Sequence, residues 1–145
     1  MDLMLTDKVT LVSGGSRGIG FQIAKDLAAE GSHVVISARG EDQLKQAVDE
    51  INEQKKGRAV GFVGDMTRKG IPEAFVRKAL DSFGGVDILV NSVGAGNPKA
   101  LLNSTDEDWQ QTFELNLFTA VRLSRLIVPE MKKRGGISAV ILTAT

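Results

Sequence analysis

The residues best suited to chemistry lie near the start of the chain, in Val12-Ser13-Gly14-Gly15-Ser16-Arg17-Gly18-Ile19-Gly20. Four glycines fall between Gly14 and Gly20, where the backbone must turn sharply and leave no side chain between itself and a ligand. Upstream, Lys8 to Val12 reads as a short buried strand. Downstream, Ile19, Ile23, Ala24, Leu27 and Ala28 recur at helical spacing. A helix start offers unpaired N–H groups and the positive end of its dipole, so strand, glycine turn and helix together would cradle an anion such as a diphosphate. The spacing is G-x-x-x-G-x-G rather than the commoner G-x-G-x-x-G. The competing reading is a tight strand-to-helix turn that binds nothing, for which one or two glycines suffice.

The rest of the chain repeats this alternation. His33 to Ala38 is a near-continuous apolar strand, the pattern of a strand covered on both faces. A helix follows from about Glu41 to Gln54, then a strand from Arg58 to Val63 and a helix from Pro72 to Phe83. Val86 to Val90 is the fourth strand. After a loop from Asn91 to Pro98, a capping box at Ser104 or Thr105 opens the longest helix, Asp106 to about Lys133, with a kink expected at Pro129. Ser138 to Leu142 is the fifth strand. Five alternations with short links predict an α/β fold, a doubly wound parallel sheet with helices on both faces, as one domain over 1–145. Ligands of such sheets lie beyond the carboxyl ends of the strands, which points to Ser13, Arg39, Asp65, Asn91 and Thr143.

Composition narrows the function. Acids and bases balance at 18 each, which argues against nucleic acid or an anionic membrane as partner. The absence of cysteine excludes thiolate metal sites and a cysteine nucleophile, and the only histidine, His33, cannot build a metal site or a Ser-His-Asp triad alone and is expected to be structural. Without a signal-like start or a long apolar run, a soluble protein of the cytoplasm is the expectation. Tyrosine is absent.

Ser13-Gly14-Gly15-Ser16-Arg17-Gly18-Ile19-Gly20 resembles the T-G-x-x-x-G-I-G signature of the short-chain dehydrogenase/reductase family, with serine for the usual threonine. The resemblance runs the length of the chain and implies a Rossmann-like sheet of order 3-2-1-4-5. It implies coenzyme contacts at Gly14, Ser16, Arg17, Gly18, Ile19 and Gly20. Arg39, where the second strand closes, takes the place at which an acid grips the ribose 2′-hydroxyl of NAD and an arginine accommodates the 2′-phosphate of NADP. Arg17 offers a second guanidinium nearby, so NADP (NADPH) is expected over NAD. The alternative is that both arginines are solvated surface residues. Asp65 and the Met66 amide match the adenine site, and Asp65 can equally cap a turn. Asn91-Ser92-Val93-Gly94 is similar to the family's N-N-A-G, matching at Asn91 and Gly94 only. Asn116 matches the asparagine that holds a proton-relaying water, or it is a packing asparagine satisfied by nearby backbone.

The family's reaction is hydride transfer between a nicotinamide and a carbonyl or secondary alcohol, with a tyrosine as acid/base, a lysine that lowers its pKa and a serine that polarises the substrate oxygen. Ungapped counting from Lys132 puts the serine's place at Thr143, with Thr145 as fallback. The Tyr-x-x-x-Lys pair would lie further on. These residues are therefore expected to be the amino-terminal half of a longer reductase, inactive alone, acting on a small-molecule carbonyl or alcohol as a homo-oligomer paired through the helix from Asp106, unless Trp109 and Phe113 simply pack that helix on the sheet. The other reading is a catalytically inactive nucleotide-binding or interaction module.

Overall fold

The computed structural model describes residues 2–96, 98–136 and 138–143. β1 (Val9–Ser13) is buried at every position and forms the middle of the sheet. β2 (His33–Ala38) and β4 (Ile88–Asn91) flank it, with β3 (Ala59–Val63) and β5 (Ala139–Leu142) outside them. All four pairings are parallel and the order is β3-β2-β1-β4-β5, as the resemblance implied.

Strand pleating divides the core in two. Leu11, Val35 and Leu89 share a row and pack toward α3 (Ile71–Phe83) and α5 (Thr119–Arg134), around Phe75, Leu123 and Ile127. Val12, Ile36 and Val90, one residue on, face α1 (Gly18–Ala29) and α2 (Glu41–Asn52) through Ala24, Ala28, Leu44 and Ile51. Because adjacent strand residues serve opposite helix layers, the central strands read as continuous apolar runs. Fully buried Phe75 alone contributes roughly 1.5–3 kcal/mol of transfer free energy. β5 pairs with β4 only among the described residues, and its Val140, Ile141 and Leu142 stay exposed.

The helix expected without interruption from Asp106 to Lys133 is instead three pieces: α4 (Asp106–Phe113), a π-helical turn at Glu114–Phe118, and α5. Side chains compete for the backbone there. Asn116 Nδ2 donates to Thr112 O at 2.9 Å and Thr119 Oγ1 to Leu115 O at 2.7 Å, while Arg122 forks onto Glu114 across the turn. α5 runs on through Pro129 to Arg134. The capping box forms at Thr105, with Asp108, the third residue of the helix, as its partner. The Lys99 ammonium, then the Thr105 amide, hold the Asp108 carboxyl down at about 2.

At the amino ends of the strands, Asp87 is 1% exposed and accepts from Val9 N at 2.8 Å and Arg134 Nε at 3.0 Å, with Lys8 Nζ at 3.9 Å. His33 is structural, stacked on Phe83 at 4.9 Å with its Nδ1 accepting from Arg58 N at 3.1 Å. No helix among the described residues is long and apolar enough to cross a membrane.

Candidate functional site

A cleft of about 460 Å³ opens at the carboxyl ends of β1, β2, β3 and β4, where the winding reverses. Gly14, Ser16, Arg17, Gly18, Ile19, Gly20, Arg39, Asp65, Met66 and Gly94 all line it. The fold thus gathers residues from four separate links. Asn91, Asn116 and Thr143 do not line it; they stand behind its wall.

The turn is built by close approach. A Cβ on Gly20 would lie 2.3 Å from Gly14 O, and one on Gly14, itself at φ +74°, would lie 2.7 Å from Ser92 O. A Cβ on Gly15 would meet Ile36 at 2.7 Å. Packing alone therefore accounts for three of the glycines, and their number does not by itself argue for a ligand. Gly18 is different: at φ +58° its missing side chain faces open space. α1 begins behind Arg17 with no side-chain cap and no acid in its first turn, whereas α2, α3 and α4 each carry acids there. The first N–H groups of α1 have no intrahelical acceptors, so an anion in the cleft would meet bare donors and a positive dipole end.

Arg17 and Arg39 are both exposed and both line the cleft. Asp65 Oδ1 accepts from Thr67 Oγ1 at 2.7 Å and Thr67 N at 3.0 Å, the turn-capping alternative. Those bonds, outweighing burial and helped by the Arg39 and Arg68 charges, hold its carboxyl below the usual range. The Met66 side chain is buried in the core, so only its backbone can serve a ligand.

The two candidate catalytic side chains each have hydrogen-bond partners. Asn116 has its carboxamide committed to backbone: Oδ1 accepts from Ala95 N at 3.1 Å, and Nδ2 donates to Ala95 O at 3.0 Å and Thr112 O at 2.9 Å. The packing reading thus describes the side chain, which pins Ala95 on the cleft wall. Thr143 Oγ1 lies 3.3 Å from Asn91 O and 3.0 Å from Ser92 Oγ. Thr143 Oγ1 is the donor in both contacts, so its single proton goes to one acceptor at a time, with Ser92 Oγ the nearer. The fallback, Thr145, lies outside the described residues.

Asn91, 5% exposed, closes β4; its Nδ2 reaches Ile141 O at 3.5 Å and its buried Oδ1 has no partner among the described residues. Sequence reasoning missed Ser37 and Ser92, both on the cleft. Ser37 Oγ accepts from Gly14 N at 3.3 Å. It was hidden inside an apolar strand, and Ser92 registered only as a departure from N-N-A-G.

A doubly wound parallel sheet whose switch point opens on an uncapped glycine turn defines a nucleotide-binding Rossmann protein. The chain belongs to the short chain dehydrogenase family, whose model matches residues 8–144. It is 39% identical to 7alpha-hydroxysteroid dehydrogenase of Escherichia coli over 99% of this chain and 55% of that one. L-sorbose reductase from Gluconobacter frateurii, solved with NADPH and L-sorbose, superposes with a TM-score of 0.90 at 39% identity, covering 96% of this chain and 53% of that one. A 7 alpha-hydroxysteroid dehydrogenase solved with NADH and 7-oxo glycochenodeoxycholic acid gives 0.89 at 36%, covering 97% and 54%. The chain spans about half the length of the curated relatives it matches.

Proposed function

We propose that these residues are the coenzyme-binding part of an NADP-dependent oxidoreductase that transfers hydride between the nicotinamide and a carbonyl or secondary alcohol carbon of a small molecule. The observation that carries this is that two exposed guanidiniums, Arg17 and Arg39, line the same cleft as the uncapped start of α1. The cleft fits such a group, because the bare flank of Gly18 leaves open space where any side chain would intrude. The amides from Gly18 to Gly20 would hold the diphosphate, Arg17 and Arg39 the 2′-phosphate, and Asp65 with the Met66 amide the adenine. The bound coenzyme supplies or accepts the hydride. Proton transfer to the substrate oxygen needs an acid, and no tyrosine occurs in this sequence. Turnover is accordingly assigned to a longer polypeptide, and these residues alone are expected to bind coenzyme without reacting. The cysteine-free, charge-balanced composition supports a cytoplasmic enzyme.

Calorimetric titration of the full polypeptide is expected to give NADPH binding about ten- to a hundredfold tighter than NADH, with the preference lost in Arg17→Ala/Arg39→Ala, since bonds to charged groups are worth about 1.5–3 kcal/mol. NADH binding equal to or tighter than NADPH binding would overturn the preference.

A homo-oligomer is proposed on the α4–α5 face. Trp109 is 47%, Phe113 49% and Leu117 43% exposed, so these residues do not pack on the sheet. Trp109 and Phe113 instead lie against each other at 6.4 Å between ring centres. Sedimentation of the full polypeptide is expected to show an oligomer that Phe113→Glu dissociates; a monomer for the unmodified protein sinks this assignment.

A further inference from the structure

We infer that Ser92 is the positioning residue of the coenzyme cleft, locking the glycine turn to the end of β5 through its hydroxyl. The inference rests on the coenzyme reading above and assigns a role to a residue at which this chain departs from the N-N-A-G pattern. Three strands meet on Ser92. Its N–H lies 3.1 Å from Ser13 O and 3.3 Å from Ser13 Oγ, fixing it to the end of β1. Its carbonyl is the surface on which Gly14 packs, since a Cβ there would lie 2.7 Å away. Its Oγ sits 3.0 Å from where a Gly20 Cβ would be, under the start of α1, and bonds Thr143 Oγ1 at 3.0 Å.

The hydrogen bonds of Thr143 hold this junction together. Asn91 O accepts from Thr143 N at 3.0 Å and from Thr143 Oγ1 at 3.3 Å, so Thr143 is tied to β4 at both groups. Thr143 Oγ1 also donates to Ser92 Oγ at 3.0 Å, the shorter of its two contacts. Ser92 is 9% exposed, so a competing water is largely excluded and the bond keeps its full effect. The Ser92–Thr143 bond therefore couples the donors that would face the diphosphate to a strand that does not itself reach the cleft.

That separation gives the test. Thr143 does not line the cleft, and of the two residues its hydroxyl meets, Ser92 lines the cleft and Asn91 does not. In the full polypeptide, NADPH dissociation constants and melting temperatures are measured for Thr143→Val, Thr143→Ser, Ser92→Ala and Ser92→Ala/Thr143→Val. Thr143→Val, which keeps the shape and removes the hydroxyl, is expected to weaken NADPH about three- to tenfold, the equivalent of one net hydrogen bond. Thr143→Ser is expected to restore the affinity to within twofold of the unmodified protein. In the Ser92→Ala background Thr143→Val should weaken binding no further, because the Ser92–Thr143 bond is already absent. A lower melting temperature with unchanged NADPH affinity in Thr143→Val would make the bond structural only and overturn the inference. Additive losses in the double variant would do the same. An unmodified polypeptide that binds neither NADPH nor NADH overturns the coenzyme reading together with this one, whereas normal binding with insensitive variants removes this one alone.

Discussion

Gly20→Ala is expected to abolish measurable NADPH binding. The added methyl would lie 2.3 Å from Gly14 O, an encounter of backbone with backbone that no side-chain rotation relieves. Either the start of α1 moves away from β1 or the Gly14 carbonyl is displaced, and both shift the amides that would face the diphosphate. Overpacking of this kind costs about 1–3 kcal/mol of stability, and the displaced donors add a loss of affinity of at least about a hundredfold. Gly18→Ala is the informative control: nothing lies within 4 Å of its Cβ, so its strain comes only from the left-handed backbone at φ +58°. That strain amounts to about 1 kcal/mol of stability. The measurement is an NADPH titration beside a thermal melt for each variant. Retained affinity in a folded Gly20→Ala would remove the turn from the binding site.

The largest stability effect is expected at the opposite end of the sheet. Asp87→Ala should destabilise the protein by about 3–5 kcal/mol, read from urea unfolding. The carboxylate is 1% exposed and holds three groups at once. It accepts from the buried Val9 amide at 2.8 Å, from Arg134 Nε at 3.0 Å, and faces Lys8 Nζ at 3.9 Å. Its removal strands the Val9 N–H in the core and frees the end of α5, which Arg134 also ties to Asp7 O at 3.3 Å. Lys8 and Arg134 are each about a third exposed and regain water on losing their partner, so most of the cost lies with the unpaired amide and the cavity. Asp87→Asn keeps the shape and an acceptor and should cost about half as much. A loss below about 1 kcal/mol for Asp87→Ala would show that the cluster contributes little.

Much of the architecture was readable without coordinates. Apolar runs bounded by glycine, such as His33 to Ala38, report a strand buried on both faces whatever its neighbours are, and every strand fell within two residues of its expected bounds. The candidate cleft was readable where position along a strand decides position in space, as at Arg39 and Asp65. It was not readable where a side chain's partner is remote in sequence. Asn116 bonds Ala95, and Thr143 bonds Ser92 and Asn91, contacts that no local pattern encodes. The break at Glu114–Phe118 was missed for the same reason, because the apolar row from Trp109 to Val121 keeps helical spacing through it.

The amino-acid order alone determined the alternation of strand and helix, the glycine turn and the absence of cysteine and tyrosine, since these follow from local propensity and from composition. Tertiary structure alone decided which oxygens are spent. The hydroxyl of Thr143 carries one proton, and only the fold shows that Ser92 Oγ and Asn91 O both lie within reach of it. It likewise decided that three of the four turn glycines answer to packing and one to open space, because a distance to a remote backbone atom is a property of the fold rather than of the residue.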